Sequence, residues 1–155
     1  LINQMHIATN SSKIDISEEG ETAKIAKKFS TYLKKGDIIF LYGEIGVGKT
    51  TFVRYLINNI QRVNKLKLTE ILSPTFSIVN EYKVNNFIIN HYDLFRLKDN
   101  NEIKNIGIFD NLEEVITLIE WPEKIENKPK KLIEVFFNYS DLLDKRFIQI
   151  KGLKV

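Results

Sequence analysis

Cysteine is absent from the 155 residues of this chain. That excludes disulfides, thiolate metal sites and cysteine nucleophiles, and it fits a reducing compartment. No apolar run approaches the roughly 20 residues a membrane-spanning helix needs. The first ten residues hold no long apolar stretch behind a basic one, so no secretory signal is expected and the expected location is cytoplasmic. Internal repeats, low-complexity tracts and linkers are also missing, so one domain over residues 1–155 is expected. Charge of one sign is scarce as well: the net charge is +3 with a pI near 8.9. That mild excess permits an anionic partner without demanding one. The basic stretch Lys128–Lys131 reads as a solvated connection.

What is present alternates between strand and helix patterns. Met5–Ile16 reads as an opening strand with a turn around Asn10–Ser12. Ser17 looks like a helix N-cap, because Glu18, Glu19 and Glu21 follow where carboxylates suit the positive end of the helix dipole. Ile25, Ala26, Phe29 and Leu33 recur at helical spacing, and Gly36 closes that helix. Asp37–Tyr42 is a continuous apolar run that reads as a buried strand. From Lys49, the positions Phe52, Val53, Leu56, Ile57 and Ile60 give a second helix, and Arg62–Thr69 reads as a loop. Thr75–Val84 reads as a strand turning at Asn85–Asn86 into a return strand, Phe87–Tyr92. A short helix over Glu102–Ile106 ends at Gly107. Val115–Ile119, Leu132–Phe137 and Arg146–Ile150 complete the strands. The expectation is an α/β fold, a three-layer sandwich of the P-loop NTPase kind, with a mixed sheet flanked by helices.

The strongest chemical signal is Gly43-Glu44-Ile45-Gly46-Val47-Gly48-Lys49-Thr50-Thr51, which fits G-x-x-x-x-G-K-[ST] at every fixed position. The glycines let successive backbone N–H groups converge on one phosphate, and a side chain at Gly48 would hinder that approach. The helix starting near Lys49 adds its N-terminal dipole. Lys49 supplies a cation for the β- and γ-phosphates, and the Thr50 hydroxyl is placed for Mg²⁺. The implied ligand is a nucleoside triphosphate, ATP with Mg²⁺.

Hydrolysis also needs a carboxylate for the metal and a group to place water. Asp93 and Glu120 each end a buried strand, where ligand groups collect in α/β sheets; each reads equally well as a solvated carboxylate. Ser73-Pro74-Thr75-Phe76-Ser77 is a hydroxyl-rich turn. Arg54 and Arg96 are possible phosphate contacts. His91 reads as a core or hydrogen-bonded histidine, His6 as incidental, and Trp121-Pro122 as packing or a nucleotide contact. Three other classes stay open: a small-molecule kinase, a GTPase switch and a binding module without catalysis. The four arginines, Arg54, Arg62, Arg96 and Arg146, form no dense lid segment, which disfavours the kinase. Asn64-Lys65-Leu66-Lys67 and Asn127-Lys128-Pro129-Lys130 both lack the Asp of N-K-x-D, which disfavours guanine.

Four segments in order, LYGEIGVGKTTFVR (Leu41–Arg54), SPTFSIVNEY (Ser73–Tyr82), HYDLFRL (His91–Leu97) and LIEWPE (Leu118–Glu123), resemble the TsaE (YjeE) family. Glu102 followed by Ile106-Gly107 also fits, and the resemblance runs from about Ser17 to Lys124. These are small bacterial P-loop ATPases required for threonylcarbamoyl modification of the tRNA adenosine next to the anticodon. The resemblance implies that Thr50 and Glu120 bind Mg²⁺, and that Asp93 is a Walker-B-like carboxylate on metal-bound or attacking water. It further implies that Thr75 lies in a switch segment over the γ-phosphate and that Trp121 is functional. The stretch from Ser17 to Thr22 resembles the family's nucleotide edge. Phe95 departs from the pattern, which has Tyr there. The implied partners are TsaB and TsaD, with tRNA reached only through the complex and no membrane involved.

Overall fold

In the computed structural model, which describes residues 13–154, seven strands form one mixed sheet. In chain order the elements are β1 (Ile14–Asp15), α1 (Glu19–Ser30), β2 (Ile38–Tyr42), α2 (Lys49–Val63), β3 (Val79–Val84), β4 (Phe87–Asp93), α3 (Asn100–Asn105), β5 (Val115–Glu120), β6 (Ile133–Tyr139) and β7 (Arg146–Lys151). The spatial order is β1-β7-β6-β2-β5-β4-β3. The four central strands, β6, β2, β5 and β4, run parallel. The hairpin β3–β4 and the strands β7 and β1 close the two edges antiparallel. A hairpin needs only a short turn, whereas each parallel step needs a crossover, so the mixed sheet follows from Asn85–Asn86 joining β3 to β4.

The two faces are covered unequally. Helices α1 and α2 pack side by side on one face, over Ile39, Leu41, Ile89, Ile116, Leu118, Val135 and Phe137. Phe52 sits at the centre of this layer, edge-on to Phe29 at 5.4 Å and to Phe137 at 5.7 Å. The opposite face, Ile38, Phe40, Tyr92 and Ile119, is covered by the short helix α3 and its flanking turns through Leu94, Leu97, Ile103 and Ile108. The third layer is therefore thin. Phe52→Ala is expected to destabilise the fold by about 3–5 kcal/mol, since a fully buried ring leaves a cavity between helix and sheet. Urea unfolding measures that directly; a loss below about 1 kcal/mol would contradict this packing.

Several expectations need correction. Helix α1 begins at Glu19 with Glu18 as its N-cap, and no side chain caps it. Ser17 is not the cap: its Oγ accepts a hydrogen bond from the backbone N–H of Arg146 (3.1 Å), a competing use that lies across the sheet edge. The helix stops at Ser30 with Thr31 as C-cap, well before Gly36, which lies in the following turn. Helix α2 continues to Val63, beyond the expected loop start. The strand expected from Thr75 starts only at Val79; residues 75–77 form a turn, with Phe76 84% exposed and Ile78 at φ +70°. Alternation of Phe76 with Ile78 mimicked a strand, but Phe76 is not part of the core. Most of the expected opening strand, Met5–Ser12, and His6 lie outside the described residues.

Candidate nucleotide site

The loop Gly43–Gly48 leaves the C-terminal end of β2 and enters α2, so sequence order alone places its backbone at the parallel strand ends. Gly43 has φ +150°, and a Cβ there would come within 2.8 Å of Val47 Cγ1 and 2.9 Å of the Phe137 carbonyl. Only glycine fits, because Val47 is folded into the core beneath the loop. Gly48, the N-cap of α2, sits at φ +115° in the left-handed region that favours glycine. The free N–H groups of the first turn of α2 therefore open toward the loop.

Register brings the two carboxylates together. In the parallel pair β4–β5, Asp93 lies opposite Glu120, and in β2–β5 Glu120 lies opposite Leu41, two residues before Gly43. Both carboxylates are buried, Asp93 at 4% and Glu120 at 2% exposure. Lys49 is also buried. Its Nζ donates to the Gly43 carbonyl and lies 4.0 Å from the centre of the Trp121 ring. Burial pulls the Lys49 ammonium below the usual lysine range, while Glu120 and Asp93 oppose that shift.

Asp93 organises the hydroxyl-rich turn. Its Oδ2 accepts from Thr75 Oγ1 at 3.1 Å and Ser73 Oγ at 3.3 Å, and its Oδ1 from the Phe95 N–H at 2.9 Å. The turn itself is held by the Ile78 N–H donating to the Pro74 carbonyl and the Asp93 N–H to the Ile78 carbonyl. Glu120 Oε2 lies 2.6 Å from His91 Nε2. Trp121 adopts φ +59° and stacks obliquely on Phe95 at 4.9 Å. Lys124 Nζ donates to the Phe95 and Leu97 carbonyls, which ties the segment after β4 to the segment after β5.

These groups surround one cavity of about 380 Å³. Of the residues singled out in the sequence, Ile45, Gly46, Gly48, Lys49, Thr50, Thr51, Thr75, Asp93, Glu120 and Trp121 line it. Gly43, Glu44, Val47 and Ser17 do not: Val47 is core, Gly43 contributes its carbonyl to Lys49, and Ser17 stands behind the wall through Arg146. Arg54 faces away, toward Glu19 at 3.6 Å, and Arg96 lies over the Phe76 ring. Sequence reasoning missed Arg146 as a wall residue. Its Nη1 is near Gly48, its Nη2 donates to the Ser17 carbonyl at 3.2 Å, and it forms no ion pair among the described residues. Nothing local marks it, because β7 brings it beside the loop by pairing with β6, where Arg146 lies opposite Tyr139.

The donor set suits Mg²⁺, a hard ion that takes one or two carboxylates with hydroxyl, water and phosphate oxygens. Glu120 keeps Oε1 without a hydrogen bond among the described residues, and the Thr50 hydroxyl shares the cavity. Asp93 Oδ1 accepts the Phe95 N–H, while the Ser73 and Thr75 hydroxyls, themselves 2.8 Å apart, have two protons for three contacts, so part of the Asp93 carboxylate stays open to water.

The family model described as "Threonylcarbamoyl adenosine biosynthesis protein TsaE" matches residues 16–147. A tRNA threonylcarbamoyladenosine biosynthesis protein TsaE from Rickettsia bellii (strain RML369-C) is 44% identical over 142 residues, 91% of this chain and 94% of that protein. One of the same name from Rickettsia felis (strain ATCC VR-1525 / URRWXCal2) is 43% identical over 112 residues, 72% of this chain; the match spans 63% of that longer protein, less than two thirds. One from Haemophilus influenzae is 34% identical over 142 residues, 87% of this chain and 85% of that protein. The crystal structure of Bacillus subtilus YdiB superposes with a TM-score of 0.67 at 23% identity, covering 92% of this chain and 86% of that one, a likeness of fold. Family model and relatives give one assignment: the chain belongs to the TsaE family.

Proposed function

We propose that this protein is an ATP-binding and ATP-hydrolysing subunit acting with TsaB and TsaD in the threonylcarbamoyl modification of the tRNA adenosine next to the anticodon. The pathway is the one for which its relatives are named. The observation that carries the hydrolytic reading is the pairing of two buried carboxylates, Asp93 and Glu120, on adjacent strand ends beside the P-loop lysine. A module that only binds Mg²⁺-nucleotide uses one acid for the metal; hydrolysis gives a use to the second, Asp93.

In this reading the loop N–H groups and Lys49 hold the β- and γ-phosphates, and Arg146 reaches phosphate oxygens from the other wall. Thr50 and Glu120 would hold Mg²⁺, with Asp93 touching it through water; bound there, the ion neutralises charge developing on the phosphate oxygens. Asp93 orients water for attack on the γ-phosphate. Since Thr75 and Ser73 both hydrogen-bond to Asp93, that same carboxylate links the state of the turn to the reacting centre. Lys49 exchanges its bond to the Gly43 carbonyl for phosphate oxygens.

A mixture of the purified protein with TsaB and TsaD in Mg²⁺-ATP should elute as one complex in size-exclusion chromatography. Separate elution under all nucleotide conditions would sink the partner assignment.

A further inference from the structure

His91 lies on β4 two residues before Asp93, so both side chains point to the same face of the sheet. Its imidazole is fully buried, and Nε2 lies 2.6 Å from Glu120 Oε2. Nδ1 has no protein partner. An apolar residue would fill this place among Ile89, Leu118 and their neighbours without leaving a ring nitrogen unpaired. What histidine adds is a donor: with Nδ1 unpaired, the arrangement is that of the Nε2–H tautomer donating to the carboxylate. Glu120 has three rotatable bonds and a buried lysine nearby toward which it can swing. The His91 bond fixes one oxygen and leaves Oε1 without a hydrogen bond at the cavity.

We propose that His91 is the positioning residue of Glu120: it holds Oε2 so that Oε1 is presented to the metal that accompanies the nucleotide. The inference rests on the function proposed above. Partners that orient a ligating group are worth about 10- to 100-fold in metal affinity.

The test compares wild type with His91→Leu, which keeps apolar volume but removes the donor, and His91→Gln, which retains an N–H donor of similar reach. Mn²⁺ binding in the presence of ADP is read by electron paramagnetic resonance, ADP affinity is read in EDTA, and thermal unfolding is followed for all three. The expected result is Mn²⁺ affinity reduced about 10- to 100-fold in His91→Leu, partly restored in His91→Gln, with metal-free ADP affinity unchanged within about twofold. Equal Mn²⁺ affinity in wild type and both variants would overturn the positioning role alone, and a drop in unfolding temperature with no change in Mn²⁺ affinity would do the same. Wild-type protein that takes up no Mn²⁺ with nucleotide would overturn the Mg²⁺-ATPase reading and the positioning role with it.

Discussion

Lys49→Ala is expected to weaken ATP binding by about 10- to 150-fold, the equivalent of roughly 1.5–3 kcal/mol for a charge-assisted contact. The reason is more than the loss of one hydrogen bond. Lys49 is buried between Trp121 and the Gly43 carbonyl, and its charge offsets that of Asp93 and Glu120. Without it, a triphosphate would enter a site whose two carboxylates no longer have the lysine charge beside them. Lys49 would exchange its bond to the Gly43 carbonyl for phosphate, which lowers the net gain and is why the expected loss is not larger. Calorimetric titration with ATP measures it, with thermal unfolding as a control for the fold. A Kd within twofold of wild type would show that the loop does not grip phosphate through Lys49.

Glu120→Ala and Asp93→Ala are expected to separate turnover from binding. Each should lower the hydrolysis rate by about 10²-fold or more, since metal and water placement are worth several kcal/mol in the transition state. Nucleotide affinity should change by less than tenfold, because the P-loop and Lys49 make most of the ground-state contacts. The two variants should also differ. Asp93 accepts from Thr75, Ser73 and the Phe95 N–H, so its removal also frees the hydroxyl-rich turn. Glu120 touches His91, and its removal leaves a buried imidazole without its partner. Phosphate release and nucleotide binding on the same preparations decide the matter; full turnover in both variants would remove the carboxylates from the mechanism.

The parts of this site that were legible in the sequence are those written locally. The P-loop could be read because loop, lysine and hydroxyl occupy nine consecutive positions, and β2 before it is an uninterrupted apolar run. Asp93 and Glu120 could be nominated because each directly follows a buried strand. Their adjacency could not be read, since it depends on the β4–β5 register. The same holds for His91, whose bond to Glu120 joins residues 29 apart. Arg146 is the clearest omission: it reaches Ser17 across 129 residues, through an edge that sequence pattern does not specify. Ser17 was misread for a related reason. A serine before a run of glutamates carries the usual signature of an N-cap, but here its hydroxyl serves the Arg146 backbone instead. Ile78 reads as a strand residue because a β-branched residue at φ +70° is strained and not expected from sequence; the bonds around Pro74 and Asp93 hold it there.

Phosphate release from Mg²⁺-ATP by wild-type and Glu120→Ala protein, each alone and with TsaB and TsaD, tests partner-dependent hydrolysis at this site most directly. The expected result is slow release by the wild type, a change in rate when the partners are added, and near-complete loss in Glu120→Ala with ATP still bound. Release that is absent in every mixture, or that is unaffected by both Glu120 and the partners, would contradict it.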